Sequence, residues 1–388
     1  MGRYLRSKCL FLFVFIPFFK PVCFQYYSSL QSIEQFFILW KVMAAGICLM
    51  VLAAYIWNMD RVPKLTVLVF LFECSIIVST IYHQGELTRA AIDAVSIISY
   101  TAFLALELKY NGRQSVHLMS SVMAVLLVLN LFSEIIFPGG MPADLYTNPE
   151  NTLYFMVVDN GSALFLTFCI VLFVIDGMIS YGRVKMAGKI LIFFVVFSAV
   201  LSHSATAVIT VILICAIIIF IIKSDFSEHQ NSKVLFMIYV ILFVYLITMQ
   251  DNFISRFILQ KIFQRSGDFT GRYYLWEQAL NMIKEQPWLG YGRVAHDYIE
   301  AWGGYFSSHN YVLEMLLQGG VIALSIFICC VGYVIKKAGY TQHMKITCCL
   351  LFALFTALVA SLMEATVHSV YVFGILVLCS SSYYLEKA

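Results

Sequence analysis

The stretch SSHNYVLEMLLQGGVIALSIFICCVGYVI, residues 307–335, is an apolar run that opens with a group of polar side chains. From residue 309 onward it exceeds the roughly 20 apolar residues that cross a bilayer, so it predicts a membrane-spanning helix. Its polar start needs an explanation, because hydrocarbon leaves polar groups without hydrogen-bond partners.

The same apolar character extends over most of the 388 residues. Hydrophobic residues make up 61% of the chain and charged residues only 12%, a composition that excludes an ordinary soluble domain. Twelve segments are predicted spans: 9–27, 34–57, 65–83, 88–108, 115–137, 153–175, 187–203, 205–223, 233–250, 309–335, 346–365 and 368–386. The sequence therefore predicts one all-α, polytopic membrane domain over residues 1–388, with about 12 transmembrane helices.

Lys and Arg residues indicate which side of the membrane each connection occupies. With both termini in the cytoplasm, 16 of the 25 Lys and Arg residues fall on the cytoplasmic side, as the positive-inside rule expects. The net charge of +3 is too small to suggest a nucleic-acid partner. Most of the 11 cysteines lie inside spans at no metal or disulfide spacing, and we interpret them as packing residues.

The longest predicted connection, residues 251–308 between spans nine and ten, lies outside, and ordered loops of this length are usually functional. Its apolar spacing predicts an amphipathic helix from about residue 271 to 285 at the membrane surface. Arg272 stands in the first turn of this helix, and the glycine-rich turn PWLGYGR follows and ends in Arg293. Spacing alone leaves open whether these arginines contact lipid headgroups or an anionic substrate.

The polar start of span ten lies where this loop re-enters the membrane. One of the two serines before His309 is predicted to cap the helix, which places His309 and Asn310 in the first turn, where backbone N–H groups favour an anion. Asn310, Glu314 and Gln318 are four residues apart and share one face. This stripe predicts either the lining of a polar cavity or a hydrogen-bond ladder that only fixes packing.

Further polar residues fall at the predicted outer ends of other spans. They are Arg89, Asp93 and Ser96 in span four, Asn130 and Glu134 in span five, Ser202 to Ser204 at one turn, and Glu364 and His368 at another. Each alone is more typical of packing or of an ion pair. Together they predict a polar cavity that opens to the outer face.

Three elements occur in order along the long loop: GRYYLW, PWLGYGR and SHNYVLEMLLQGG. They resemble the signature of the O-antigen polymerase and O-antigen ligase family. The matching residues are Gly271, Arg272 and Trp276, then Pro287, Gly290 and Gly292, and then His309, Asn310, Leu313 and Gly320. Earlier, VVDNGSALFL at 157–166 is similar to the family's Asn-containing entry into a span, which places Asn160 on that Asn. Beyond these elements, the resemblance is one of topology.

One turn departs from the family pattern. Many members have a Ser-Arg pair at a short outer turn, whereas the equivalent turn here, SHSATA at residues 202–207, has no Arg. If that Arg normally holds the pyrophosphate, His203 or Arg293 would take its place.

The resemblance implies a metal-independent glycosyltransferase without a cofactor, acting on undecaprenyl-pyrophosphate-linked sugars at the outer face of the bacterial cytoplasmic (inner) membrane. Arg can stabilise charge on a leaving pyrophosphate, and His is the usual general base near neutral pH. The candidate catalytic residues are therefore Arg272 and His309, the latter as base or as a second phosphate contact. The candidate substrate-binding residues are Arg293, Asn310, Glu314, His203 and Asn160.

Within this family, polymerase and ligase differ in the acceptor. We favour a polymerase of O-antigen or capsule repeat units, because polymerases are sequence-diverse and this match lacks one Arg. A ligase that transfers glycan to the lipid A core is the alternative, and a secondary transporter is the alternative from another class, although no inverted repeat is visible. The implied partners are the lipid-linked glycan and membrane lipid, with a flippase and a chain-length regulator as candidate protein partners.

Overall fold

The computed structural model describes residues 7–57, 62–145, 152–158, 161–223, 232–248, 272–293, 307–341, 344–364 and 367–387. These residues form helices and connections, with one isolated β-bridge between Leu153 and Val158. The α-helices are α1 Lys8–Phe15, α2 Gln31–Trp57, α3 Lys64–Tyr82, α4 Leu87–Ile136, α5 Ser162–Tyr181, α6 Met186–Leu201, α7 Ala205–Lys223, α8 Ser232–Thr248, α9 Arg272–Glu285, α10 Tyr311–Ala338, α11 Lys345–Ser361, α12 Val370–Ser380 and α13 Ser382–Glu386.

Within the described ranges, six helical segments are long and apolar enough to cross a membrane, and several apolar helices are shorter. The all-α, polytopic prediction is therefore confirmed. The shorter helices α6, α8, α11 and α12 lie where spans seven, nine, eleven and twelve were predicted.

The first predicted span, 9–27, is wrong as a continuous helix. Helix α1 gives way to two 3-10 helices, Ile16–Phe19 and Val22–Tyr26. Pro17 and Pro21 lie at their starts, where the missing N–H and the fixed φ of proline interrupt an α-helix.

The fourth and fifth predicted spans are the two halves of α4. This helix has 50 residues and would be about 75 Å long if it were straight, more than twice the thickness of the hydrocarbon core. The backbone of Asn111 is non-helical, with φ −136° and ψ 34°. Across this kink Ser115 Oγ donates to Glu107 Oε2 at 3.3 Å, which shows that the helix bends there.

The sixth predicted span begins too early, because residues 152–158 form a non-helical segment bound to α4. The N–H of Met156 donates to Asn130 Oδ1 at 2.9 Å, and the N–H of Phe155 donates to Ser133 Oγ at 3.0 Å. Helix α5 starts only at Ser162. The polar side chains of α4 therefore hold a segment that hydropathy alone assigns to a span.

Helix α5 lies at the centre of the bundle and α2 lies at its edge. Every residue of α5 from Ser162 to Ile175 is buried, as expected for a helix that is apolar on all sides. In contrast, α2 exposes large apolar side chains such as Leu39 and Met50. Such a surface suits contact with lipid.

Candidate active site

Helix α10 is sharply bent at Gly320, whose backbone has φ 62° and ψ −163°. In a straight helix Tyr311 and Phe327 would lie about 24 Å apart, but their ring centroids are separated by 5.3 Å. Residues 311–319 therefore form a short arm that folds back toward the long arm, residues 321–338. The predicted span was right in extent, but it is not one straight helix.

The turn 287–293 fits into this bend and pairs with backbone groups that the bend releases. The N–H of Tyr291 donates to the carbonyl of Leu317 at 2.6 Å. On the other side of the bend, the N–H of Val321 donates to the carbonyl of Pro287 at 2.8 Å. Irregular backbone within a membrane protein needs such partners, because lipid offers none.

Two glycines make this close contact possible. Gly290 has φ 66°, and a Cβ added there would lie 2.4 Å from the carbonyl oxygen of Leu317. A Cβ on Gly320 would lie 2.1 Å from the carbonyl oxygen of Trp288. Residues with a side chain rarely adopt a positive φ, and neither glycine has room for a Cβ atom. These two glycines of the sequence motif thus lie where the turn contacts the bend.

Helix α9 covers the short arm of α10. Trp276 and Ala279, both on the predicted apolar face, are buried in one cluster with Leu313 and Leu317. The predicted amphipathic helix is therefore confirmed. Its apolar face, however, packs against protein and is not the lipid-facing surface that the sequence suggested.

Asn310 is the N-cap of α10. Its side-chain oxygen accepts hydrogen bonds from the N–H groups of Val312 and Leu313 at 3.0 and 3.1 Å, and its side-chain nitrogen donates to the carbonyl of Leu362 at 3.2 Å. The predicted serine cap is wrong, because the short Asn side chain reaches these N–H groups itself. His309 consequently lies before the helix and not in its first turn.

Glu314 holds the loop that carries His309. Its carboxylate accepts from the N–H and the hydroxyl of Ser308 at 3.1 and 2.9 Å, and from the Gln318 side chain at 3.1 Å. His309 itself has φ 48°, an uncommon value for a residue with a side chain. The polar stripe is thus partly a hydrogen-bond ladder, and this ladder fixes the backbone on which His309 is presented.

Arg272 and His309, the two candidate catalytic residues, lie on elements joined by the hydrogen bond from Trp276 of α9 to the carbonyl of Ser308. Arg272 begins α9, and its Nη1 lies 3.3 Å from the sulfur of Met363, which follows α11. Burial, with a further contribution from the positive charge of Arg272, lowers the pKa of His309 to about 4. His309 is therefore neutral at physiological pH, and a bound anion would raise its pKa again.

Arg293 forms an ion pair with Asp93 of α4 through both its Nε, at 3.1 Å, and its Nη2. Its backbone N–H donates to Thr80 Oγ1 at 2.9 Å, and its carbonyl accepts from the N–H of Glu86 at 2.8 Å. A cavity of about 550 Å³ opens beside this corner between α3 and α4, lined by residues 85–89 and Ile92. The contacts favour a role for Arg293 in anchoring the turn.

The predicted residues His203, Asn160, Asn130 and Glu134 come from parts of the sequence that precede the long loop. His203, at the turn between α6 and α7, has its Nε2 3.1 Å from the carbonyl oxygen of Pro138, which follows α4. Asn160 and the motif residue Gly271 lie outside the described residues. The predicted pair of Asn130 and Glu134 is confirmed, with the amide donating to the carboxylate at 2.8 Å.

His368 has an acidic partner that the sequence pattern did not predict. Oε1 of Glu73, in α3, lies 3.1 Å from Nδ1 of His368, which precedes α12. The Glu73 side chain is 1% exposed and the His368 side chain 8%. The available signal was a carboxylate within an apolar span, which is uncommon without a function. Among the described residues no three His, Cys, Asp or Glu side chains are grouped as a metal site.

Comparison with known proteins gives one family. The family model described as O-antigen ligase matches residues 190–328, which include His203, Arg272, Arg293 and His309. No curated protein matches the chain. The match confirms the resemblance inferred from the sequence and favours an enzyme over a transporter. Residues 190–328 of this polytopic membrane protein are therefore similar to the O-antigen ligase family, which supports a membrane enzyme of the O-antigen polymerase and ligase type.

Proposed function

We propose that this protein polymerises undecaprenyl-pyrophosphate-linked repeat units of O-antigen or capsule at the outer face of the bacterial cytoplasmic membrane. The observation that carries the proposal is that the helix beginning at Arg272 contacts the loop of His309, because Trp276 of α9 donates to the carbonyl of Ser308 at 2.9 Å. An arginine and a histidine on two elements that contact each other suit a reaction that displaces a pyrophosphate from a sugar.

The transfer needs three changes that these residues can support. An acceptor hydroxyl oxygen bonds to the anomeric carbon of the donor, the bond from that carbon to the pyrophosphate breaks, and the electron pair remains on the pyrophosphate. Arg272 stabilises this growing negative charge with a bidentate fork. His309 either accepts the hydroxyl proton or contacts the phosphate. With a cation supplied by the protein, we propose that the reaction needs no metal ion.

The other candidate residues take supporting roles in this proposal. Asn310 and Glu314 fix the loop that carries His309, since their polar atoms are occupied by Leu362 and Ser308. Asn160 and His203 remain candidate substrate contacts on the basis of the resemblance alone.

We also propose that both termini lie in the cytoplasm, which the distribution of Lys and Arg supports. Single cysteines placed at Lys185 and Lys284, in a cysteine-free background, test this with a membrane-impermeant thiol reagent. The proposed topology predicts that the reagent labels Lys284→Cys and does not label Lys185→Cys. Labelling of Lys185→Cys in intact spheroplasts contradicts it.

A ligase is the second candidate, because the matching family model is described as O-antigen ligase. Deletion of the gene followed by gel analysis of the surface polysaccharide separates the two. A polymerase deletion leaves one repeat unit attached and removes the ladder, whereas a ligase deletion removes all attached glycan. A normal ladder in the deletion strain contradicts both.

Metal independence is tested with purified protein, and a lipid extract from the deletion strain supplies the donor. Transfer is expected to continue in EDTA. Loss of transfer that a divalent ion restores would show that metal independence is wrong.

A further inference from the structure

Glu73 and His368 form an ionisable pair inside the helical bundle. Glu73 lies in the middle of α3, and His368 lies just before α12. Both side chains are more than nine-tenths buried, since that of Glu73 is 1% exposed and that of His368 is 8% exposed. Ionisable groups within a membrane protein are costly and usually serve a function.

Each member of the pair has one polar atom that the pair itself does not use. Glu73 Oε2 and His368 Nε2 are buried and have no hydrogen-bond partner among the residues that the structure describes. An unsatisfied buried polar atom is costly, so a pair that served only packing would be expected to satisfy both. In the tautomer that donates from Nδ1 to Glu73 Oε1, His368 has Nε2 as a proton acceptor.

The pair is tied to the loop that carries His309. The hydroxyl of Tyr311 donates to the carbonyl of Val367 at 3.0 Å. Val367 directly precedes His368, and Tyr311 is two residues after His309. Both histidines therefore lie within two residues of one hydrogen bond, which ties the segment before α12 to the start of α10.

An aromatic cluster packs beside Tyr311. Phe72, Phe327 and Phe373 are buried, and their ring centroids lie 6.0 to 6.4 Å from one another. Phe72 is adjacent to Glu73 in sequence, and Phe327 contacts Tyr311. Such a cluster excludes water, and exclusion of water strengthens the interaction of Glu73 with a charged histidine.

We propose that Glu73 and His368 form a carboxylate–histidine dyad that accepts the proton of the acceptor hydroxyl. This inference rests on the proposed function and assigns its general base. As the hydroxyl oxygen bonds to the anomeric carbon, its proton passes to His368 Nε2, and the pyrophosphate leaves with the electron pair of the broken bond. The Glu73 carboxylate compensates the charge of the imidazolium. His309, beside Arg272, then serves the pyrophosphate.

The test uses purified full-length protein in nanodiscs, with the lipid extract of the deletion strain as donor and undecaprenyl pyrophosphate as the binding probe. His368→Ala is expected to lose about 100-fold or more in transfer rate, which is the contribution of a general base. Its affinity for the probe should stay within about threefold of wild type, and added imidazole should restore part of the transfer. Glu73→Gln should lose at least about tenfold, because a neutral amide does not compensate the imidazolium.

The chain offers a matched control in a second histidine–carboxylate pair. His117 Nδ1 lies 3.2 Å from Asp176, and the His117 side chain is 61% exposed. His117→Ala should transfer at the wild-type rate. If His368→Ala does not accumulate, His368→Gln keeps a polar side chain at the site and is measured per folded protein by the same criteria.

Three results would overturn the assignment. An active wild type together with a fully active His368→Ala refutes the dyad and leaves the proposed function intact. If His368→Ala loses probe affinity and transfer to the same degree, and imidazole restores no transfer, then the Glu73–His368 pair has only a structural role. A wild-type protein that transfers nothing from the lipid extract refutes the proposed function and, with it, the dyad.

Discussion

The indole N–H of Trp276 donates to the carbonyl of Ser308 at 2.9 Å and so joins the start of α9 to the loop that carries His309. Trp276→Phe keeps most of the buried ring and removes this hydrogen bond. We expect normal abundance and a transfer rate lowered by up to about 100-fold, because a small displacement of a reacting group has effects of this size. A wild-type rate in purified Trp276→Phe would contradict this role.

Arg272→Ala and His309→Ala should each lower transfer by about 100- to 1000-fold, because each removes a group that we place on the pyrophosphate. Arg272→Lys should be nearly as damaging, since lysine lacks the bidentate fork. Lys284→Ala, which removes an exposed cation from the same helix, is the control and should be neutral. The measurement is the polysaccharide ladder of complemented deletion strains, normalised to protein abundance. A full ladder from His309→Ala would show that its assignment is wrong.

Gly320→Ala should prevent accumulation of folded protein, because the added Cβ would lie 2.1 Å from the Trp288 carbonyl oxygen at a backbone φ of 62°. Gly332→Ala in the long arm of α10 is the matched control, since a Cβ there meets nothing within 4 Å. Removing a glycine from a helix interior should stabilise it by about 0.5 to 1 kcal/mol. Abundance and thermal melting in detergent compare the two. Equal abundance would argue against the bend.

Asp93→Ala and Arg293→Ala should each destabilise the protein by about 1 to 3 kcal/mol, because each leaves a partly buried charge without its partner. The exchanged pair Asp93→Arg with Arg293→Asp should recover part of the melting temperature and part of the transfer rate. Recovery separates anchoring from substrate binding, because a pyrophosphate contact at position 293 would not tolerate an aspartate. No recovery in either measurement would favour the substrate-binding role that the sequence suggested.

The low pKa of His309 predicts that stability falls on acidification. The folded value of about 4 lies below the ordinary value of 6.5, so the unfolded chain takes up the proton first as the pH falls. The contribution is complete above pH 6.5 and decreases toward pH 4, with a loss of about 2 kcal/mol by pH 5. His309→Gln should show a flatter decrease of melting temperature between pH 7 and pH 5. Parallel curves for wild type and variant would contradict the buried, neutral histidine.

Hydropathy alone was sufficient for the fold class, because the requirement for about 20 apolar residues is a property of local composition. It also located α9, whose apolar face follows from helical spacing within one segment. Hydropathy gave the wrong helix boundaries where an apolar segment has a non-helical backbone. Pro17 and Pro21 break an apolar segment, and Asn130 and Ser133 hold an apolar segment out of a helix.

The sequence by itself determined the all-α membrane class, the order of the motif, and the choice of Arg272 and His309 as candidates. Only the tertiary structure decided the bend at Gly320, the ion pair of Arg293 with a residue 200 positions away, and the pair of Glu73 and His368, 295 positions apart. The physical reason is that apolar length is set by neighbouring residues, whereas the partner of a buried charge or a released backbone group comes from whichever distant segment packs beside it.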